Sequence, residues 1–311
     1  MESKLLVVCL DQCAISKLAI SRAKDGAIDE LKTVMMDASE KGKLICPVAS
    51  ETIVETTALR NELRIQIHEL HSHLAGGRTG NPLWEFKNMW RMINEETLAL
   101  ARSEPPPSAF DRFRWVRIED DQLASEKATG FKMGKQRMIA RVQSHEFTPI
   151  PGLISPKATT PRIILEHAGH VLRQIKRALA DKELNPDDHM GYELVQYLQK
   201  QNITKAQLEK LVQDILYHRW EAIPVIFCRT QLAGQLSADF QRPGNPRKYM
   251  VNDEFDIPRL AVGLSSADMI ITDAGMAQLC HTVKTQQWTQ TKVFAVRETT
   301  KILSHLEAAL S

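Results

Sequence analysis

The chain has 311 residues, of which 43% are hydrophobic and 25% charged, and its formal net charge is +2. This fits a soluble globular protein with one large domain or two ordinary ones, and so small a charge names no partner. The five cysteines (Cys9, Cys13, Cys46, Cys228, Cys280) form no CxxC pair and no zinc-ligand spacing. That suits a reducing cytoplasm and argues against a disulfide scaffold. The apolar N-terminal run meets Asp11 too soon for a signal peptide. No apolar run approaches the roughly 20 residues of a membrane span, so a cytoplasmic protein with no membrane partner is expected.

Leu5-Leu6-Val7-Val8-Cys9-Leu10 is a continuous β-prone apolar run, the mark of a strand buried on both faces of a parallel sheet. It ends at Asp11, and 14–23 then reads as a helix with Ile15, Leu18 and Ala19 on one face. Strand, acid and helix in succession make a βα unit with an acid at its active end. The next helix is expected at 31–40 and the second strand at 44–48. Ser50 is a good N-cap for a helix running to Ala75-Gly76-Gly77, on which Glu51, Glu55, Leu59 and Leu63 share one face. From Gly80 to about Asn252, helices expected at 84–102, 161–181, 191–201 and 204–221 alternate with proline-rich breaks. Thr204 and Gln207 have the spacing of a capping box. Pro224-Val225-Ile226-Phe227-Cys228 reads as a strand or a buried helical turn, and periodicity leaves both open. Asp256 then opens a short amphipathic helix that ends at Ser265-Ser266. Met269-Ile270-Ile271 is a compact strand running into Thr272-Asp273. A helix at 275–283, a last strand at 293–296 and a terminal helix at 298–310 complete the chain.

The βα units therefore sit at the two ends. The expected fold is α/β: a three-layer domain with a central, mainly parallel sheet built from 1–78 and 253–311, interrupted by a mostly helical insertion or lid over 79–252. In open α/β sheets ligands bind at the carboxyl ends of the strands, which is where Asp11 and Asp273 fall. Asp256, Asp268 and Asp273 are candidates for one acidic pocket, to be completed by residues from the N-terminal half. Like charges packed together raise one another's pKa values, and a divalent cation among them makes the cluster tolerable. Hard oxygen ligands suit Mg²⁺ or Mn²⁺, which can generate the nucleophile and stabilise both oxygens in phosphodiester cleavage.

Four motifs carry a family resemblance. They are Leu10-Asp11-Gln12-Cys13-Ala14-Ile15-Ser16 after an apolar strand; Pro47, Ser50 and Glu55 after a second; Asp256 to Ala261 as Asp-x-x-x-Leu-Ala; and Thr272-Asp273 closing a strand. In this order they resemble the PIN-domain ribonucleases, over the two ends of the chain and not its middle. The resemblance implies a PIN-like fold and a Mg²⁺- or Mn²⁺-dependent ribonuclease. Asp11, Glu55, Asp256 and Asp273 would be its catalytic, metal-holding acids, with Asp268 as an extra metal ligand. Glu51, one turn earlier, is the alternative to Glu55. The asparagine often found two residues after the first acid is Cys13 here. RNA is expected ahead of DNA as partner, with a neutralising protein partner if the chain is a toxin or defence component, and a homodimer as a further expectation.

Lys127, Lys132, Lys135, Arg137 and Arg141 lie in a stretch without one acid, with Phe131 interleaved. This is a phosphate-tracking stripe with a stacking aromatic, or a solvated segment. Arg242, Arg247, Lys248 and Tyr249 make a second basic loop. Nucleic acid is expected on Lys132, Lys135, Arg137, Arg141, Arg247 and Lys248. His68, Glu69, His71 and His73 contain no HExxH arrangement and read as a solvated polar helix face. Cys9 and Cys13 read as core residues and Asp253 as a loop acid. Two other functions compete. One is a catalytically silent PIN-like scaffold that binds RNA or a protein. The other is a phosphohydrolase of the haloacid-dehalogenase type, which wants an acid where Cys13 stands. No GxGxxG or P-loop is present, which argues against a nucleotide-driven enzyme.

Overall fold

The computed structural model describes residues 5–21, 26–49, 61–76, 83–86, 89–102, 104–105, 113–116, 196–214, 223–241 and 253–311, with Thr52, Thr56 and Leu59. The chain divides into two compact units. The first comprises Met1–Lys87, Arg112–Ser144 and Ser266–Ser311, the second Asn88–Asp111 and His145–Ser265. Where the sequence suggests a boundary at 252/253, the structure places it at Ser265/Ser266.

Among the described residues, the first unit is built on a four-stranded sheet in the order β2-β1-β5-β6. Its strands are β1 (Leu6–Leu10), β2 (Leu44–Ile45), β5 (Met269–Thr272) and β6 (Lys292–Ala295), and every pairing is parallel. The two ends of the chain thus close one sheet, with Leu10 opposite Ile271. β1 and β5 are buried at every position, as their unbroken apolar runs require of central strands. Leu6, Val8, Leu10, Leu44, Met269 and Ile271 belong to one core cluster. Against them pack Ala14, Ile15 and Leu18 of α1 (Gln12–Ile20), Leu31 and Met35 of α2 (Ala27–Glu40), Ile67, Leu70 and Leu74 of α3 (Asn61–Leu74) and Ile302 and Leu306 of the terminal helix (Thr299–Leu310). The helix that follows β5, Ala274–Thr282, packs on β5 and β6 through buried Met276, Ala277, Leu279 and Cys280. The α/β architecture expected from the sequence is present, with a sheet that is wholly parallel.

Three expectations are corrected. The helix expected to run unbroken from Ser50 does not form: Leu59 lies in a bend, and α3 starts at Asn61. Thr52 and Thr56 are helical, and the Thr56 hydroxyl lies 2.7 Å from the carbonyl of Thr52, a back-bond that bends helices. The helix expected at 84–102 is a strand followed by a helix. β3 (Leu83–Phe86) pairs antiparallel with β4 (Phe113–Val116), and α4 runs Met89–Arg102. Trp84, Phe86, Phe113, Trp115 and Val116 are strand-favouring types, but their partner lies too far along the chain for a local pattern to show. His71, expected on a solvated face, is buried on the core side of α3 between Ile67 and Leu74.

The second unit has its own apolar interior. Met92 and Ile93 of α4, Leu208 and Leu211 of α5 (Lys205–Asp214), Val225, Ile226 and Leu232 of α6 (Pro224–Gln241) and Leu260 and Leu264 of α7 (Asp253–Ser266) are all buried. The 224–228 run, open between strand and helix, is helical. Pro224 takes the first helical position, where a missing N–H costs nothing, and Glu96 Oε2 accepts the orphan N–H of Val225 at 3.1 Å. The capping box forms as expected. Gln207 Oε1 accepts from Thr204 N at 2.9 Å and Thr204 Oγ1 accepts from Gln207 N at 3.3 Å. Residues 196–200 are helical, whereas the helix expected at 161–181 lies outside the described residues. Among the described residues no helix is long and apolar enough to cross a membrane, and the five cysteines are free thiols.

Candidate active site at the carboxyl edge of the sheet

Parallel pairing of β1 with β5 brings their two terminal aspartates to one edge. Asp11 Oδ2 accepts from Thr272 Oγ1 at 2.6 Å and from the backbone N–H of Asp273 at 2.8 Å. Asp11 Oδ1 caps α1 by accepting from Ala14 N at 2.7 Å. The carboxylate is therefore held from the end of β5 and from its own helix, and it is buried. Asp273 is more open. It caps α8, as we label the helix Ala274–Thr282, with Oδ1 accepting from Gly275 N at 2.6 Å and Met276 N at 3.2 Å.

Not every carboxylate oxygen is used up. A carboxylate offers about four lone-pair sites. Asp11 Oδ1 has one donor on it, and among the described residues Asp273 Oδ2 has none. Each aspartate thus keeps an oxygen for a hard cation. Mg²⁺ commonly takes only one or two carboxylates and fills its shell with water and phosphate, so the donor set fits such an ion. Among the described residues no three His, Cys, Asp or Glu side chains form a group that could hold a metal. Glu55 and its alternative Glu51 lie outside the described residues, as do Lys132, Lys135, Arg137, Arg141, Arg247 and Lys248.

The structure does not bring Asp268 to this edge. Its amide donates to the carbonyl of Val7, and its Oδ2 accepts from Val7 N at 2.9 Å, at the start of the β1–β5 pairing. The four residues of β5, at about 3.3 Å each, separate it from Asp273. Asp268 begins the ladder, a structural role set by its place before the strand, where a site needs an acid after it. Asp256 belongs to the second unit. It does not open α7, which starts at Asp253, and its carboxylate pairs with the buried Arg259 one turn on. Asp253 itself is helical where a loop was expected.

Two further residues after the strands escaped the sequence reading. Glu298 stands three residues beyond the end of β6, whereas Asp11 comes immediately after β1. Its Oε2 accepts from Ala295 N at 2.9 Å, and its Oε1 pairs with Lys301 at 2.6 Å. The Lys301 bond, with that of the Ala295 N–H, holds its carboxyl below the usual range. The signal was an acid soon after a strand, read only as a helix start. Gly275 is the other: a Cβ there would meet Asp273 Oδ1 at 3.1 Å. In an open helix an alanine would gain up to about 1 kcal/mol over glycine. Here Gly275→Ala must push the carboxylate by a few tenths of an ångström. The expected result is stability within about 1 kcal/mol of the parent and any metal-dependent turnover lowered about fivefold, because misplacement of reacting groups is costly. Thermal melting and turnover measured on the same preparation check both halves.

Cys13 shares this edge, half-buried. Burial pushes its thiol pKa up, the Asp11 carboxylate pushes it further, and Lys17 opposes them. A thiol held protonated is a poor nucleophile, in keeping with the core role expected of it. Cys280 is raised to about 12, chiefly by burial.

Comparison of the chain with protein-family models, with curated proteins and with solved structures finds no match.

Proposed function

We propose that this chain is a PIN-like, metal-dependent nuclease that hydrolyses phosphodiester bonds, with RNA as substrate and internal cleavage as its mode. The observation that carries the reading is the meeting of Asp11 and Asp273 at the carboxyl ends of adjacent parallel strands, joined by the 2.8 Å bond from Asp273 N to Asp11 Oδ2. This is where α/β folds build sites. Asp11 and Asp273 would hold a Mg²⁺ or Mn²⁺ ion, and Glu55 is the further acid that the family resemblance carries over. Such an ion activates water and offsets charge on the phosphate oxygens. The chain's own part is positioning: Thr272, Ala14 and the Asp273 amide fix the Asp11 carboxylate, and the α8 amides fix that of Asp273.

A second reading draws on the same hydrogen bonds. Both aspartates already cap helices, so the edge is stable as it stands, and a catalytically silent PIN-like scaffold would keep it. Labelled RNA and single-stranded DNA, incubated with Mg²⁺, Mn²⁺ or chelator, separate the two. The nuclease reading expects metal-dependent RNA cleavage that disappears in Asp273→Asn. Intact substrates in every condition would sink it in favour of the scaffold.

A further inference from the structure

Gln12 follows Asp11 directly and is not among the acids considered so far. Its side chain joins two elements. One end lies 3.1 Å from Ser16 Oγ, one turn along α1, and the other 3.0 Å from Thr56 Oγ1, in the segment that follows β2. Thr52 and Thr56 are both fully buried, so this contact is part of the packed structure.

Proton counting sharpens the contact. Thr56 Oγ1 also lies 2.7 Å from the carbonyl of Thr52, and one hydroxyl proton cannot serve that oxygen and a Gln12 oxygen together. An amide can be turned over without moving its heavy atoms. With Gln12 Nε2 directed at Thr56, the hydroxyl accepts from Gln12 and donates to Thr52, while Gln12 Oε1 accepts from Ser16. Both hydroxyl protons then have an acceptor, and one Gln12 N–H is directed at Thr56.

We infer that Gln12 is a positioning residue: it clamps the first turn of α1, which Asp11 caps, to the Thr52–Thr56 segment, and so holds the carboxylate edge for its metal ion. This rests on the nuclease reading. Outer-shell partners of this kind typically set metal affinity by 10- to 100-fold when removed.

The test uses the full chain and Mn²⁺ alone, titrated by calorimetry, with hydrogen–deuterium exchange over 49–59 as a second readout. Gln12→Met and Thr56→Val each remove the bond with little change of shape. Each is expected to weaken Mn²⁺ binding about tenfold and to speed exchange in that segment. The double variant should be no worse than either single one, as for two residues acting through one contact. Thr56→Ser, which keeps the hydroxyl, should restore binding. If the parent binds Mn²⁺ and loses it in Asp273→Asn, yet Gln12→Met binds normally or the two effects add, the inference about Gln12 falls and the nuclease reading stands. If the parent neither binds Mn²⁺ nor cuts RNA, that reading fails and takes the inference with it.

Discussion

Asp11→Asn is expected to abolish metal-dependent RNA cleavage and also to destabilise the fold, whereas Asp273→Asn should abolish cleavage alone. The difference follows from what each carboxylate holds. Asp11 is 7% exposed and accepts from Ala14 N, Thr272 Oγ1 and Asp273 N. Asparagine has one acceptor oxygen. If that oxygen faces Thr272 and Asp273, the amide nitrogen meets the Ala14 N–H, donor against donor. Hydrogen bonds to a charged group are worth about 1.5–3 kcal/mol, and an unmet buried donor costs a similar amount, so a loss of about 2–4 kcal/mol is expected. Asp273 mainly caps α8, and asparagine caps about as well as aspartate. The lost charge at the helix N-terminus costs roughly 0.3–1 kcal/mol. Urea unfolding beside a cleavage assay separates the cases. Cleavage lost in both variants at a temperature where both are folded, about 100-fold or more in each, supports a shared site. An Asp273→Asn protein that cuts at the parental rate would remove Asp273 from the chemistry.

The contrast between Asp268 and Asp273 shows where the sequence was legible. Both flank the same apolar strand, and both attract attention as acids beside Met269-Ile270-Ile271. Only the direction of a parallel strand tells them apart: the acid after it reaches the carboxyl edge, and the acid before it receives Val7 N at the opposite end. β1 and β5 were readable because strands buried on both faces carry an unbroken apolar run. The Thr204–Gln207 cap was readable because its hydrogen bonds span three residues. β3 was missed because its partner, β4, lies beyond α4 in the chain. The Asp256–Arg259 pair shows the same limit in a helix. The start of α7 at Asp253 turns a presumed opening acid into an ion-pair partner.

His71 should make the stability of the fold fall with acid. Its ring is buried in α3, between Ile67 and Leu74 of the main core cluster. Burial, aided by the charge of His68, lowers its pKa from 6.5 to about 3. The folded state therefore keeps His71 neutral where the unfolded chain already binds a proton. Between those two values the unfolded state holds the extra proton, so this residue's contribution is complete above pH 6.5 and is lost as pH falls towards 3. The slope for one proton approaches 1.36 kcal/mol per pH unit, or roughly 2–3 kcal/mol between pH 6.5 and 4.5. A loss that size is a large part of the 5–15 kcal/mol that separates folded from unfolded proteins. Other groups titrate over the same range, so the informative quantity is the difference between the parent and His71→Leu. The variant replaces the imidazole by an apolar side chain of similar reach. Urea unfolding at pH 7.5 and at pH 4.5 should show the variant gaining on the parent by about 2–3 kcal/mol as pH falls. Parallel pH dependence in the two proteins would mean that His71 is protonated in the folded state, with a carboxylate or water beside it, and that its burial carries no acid sensitivity.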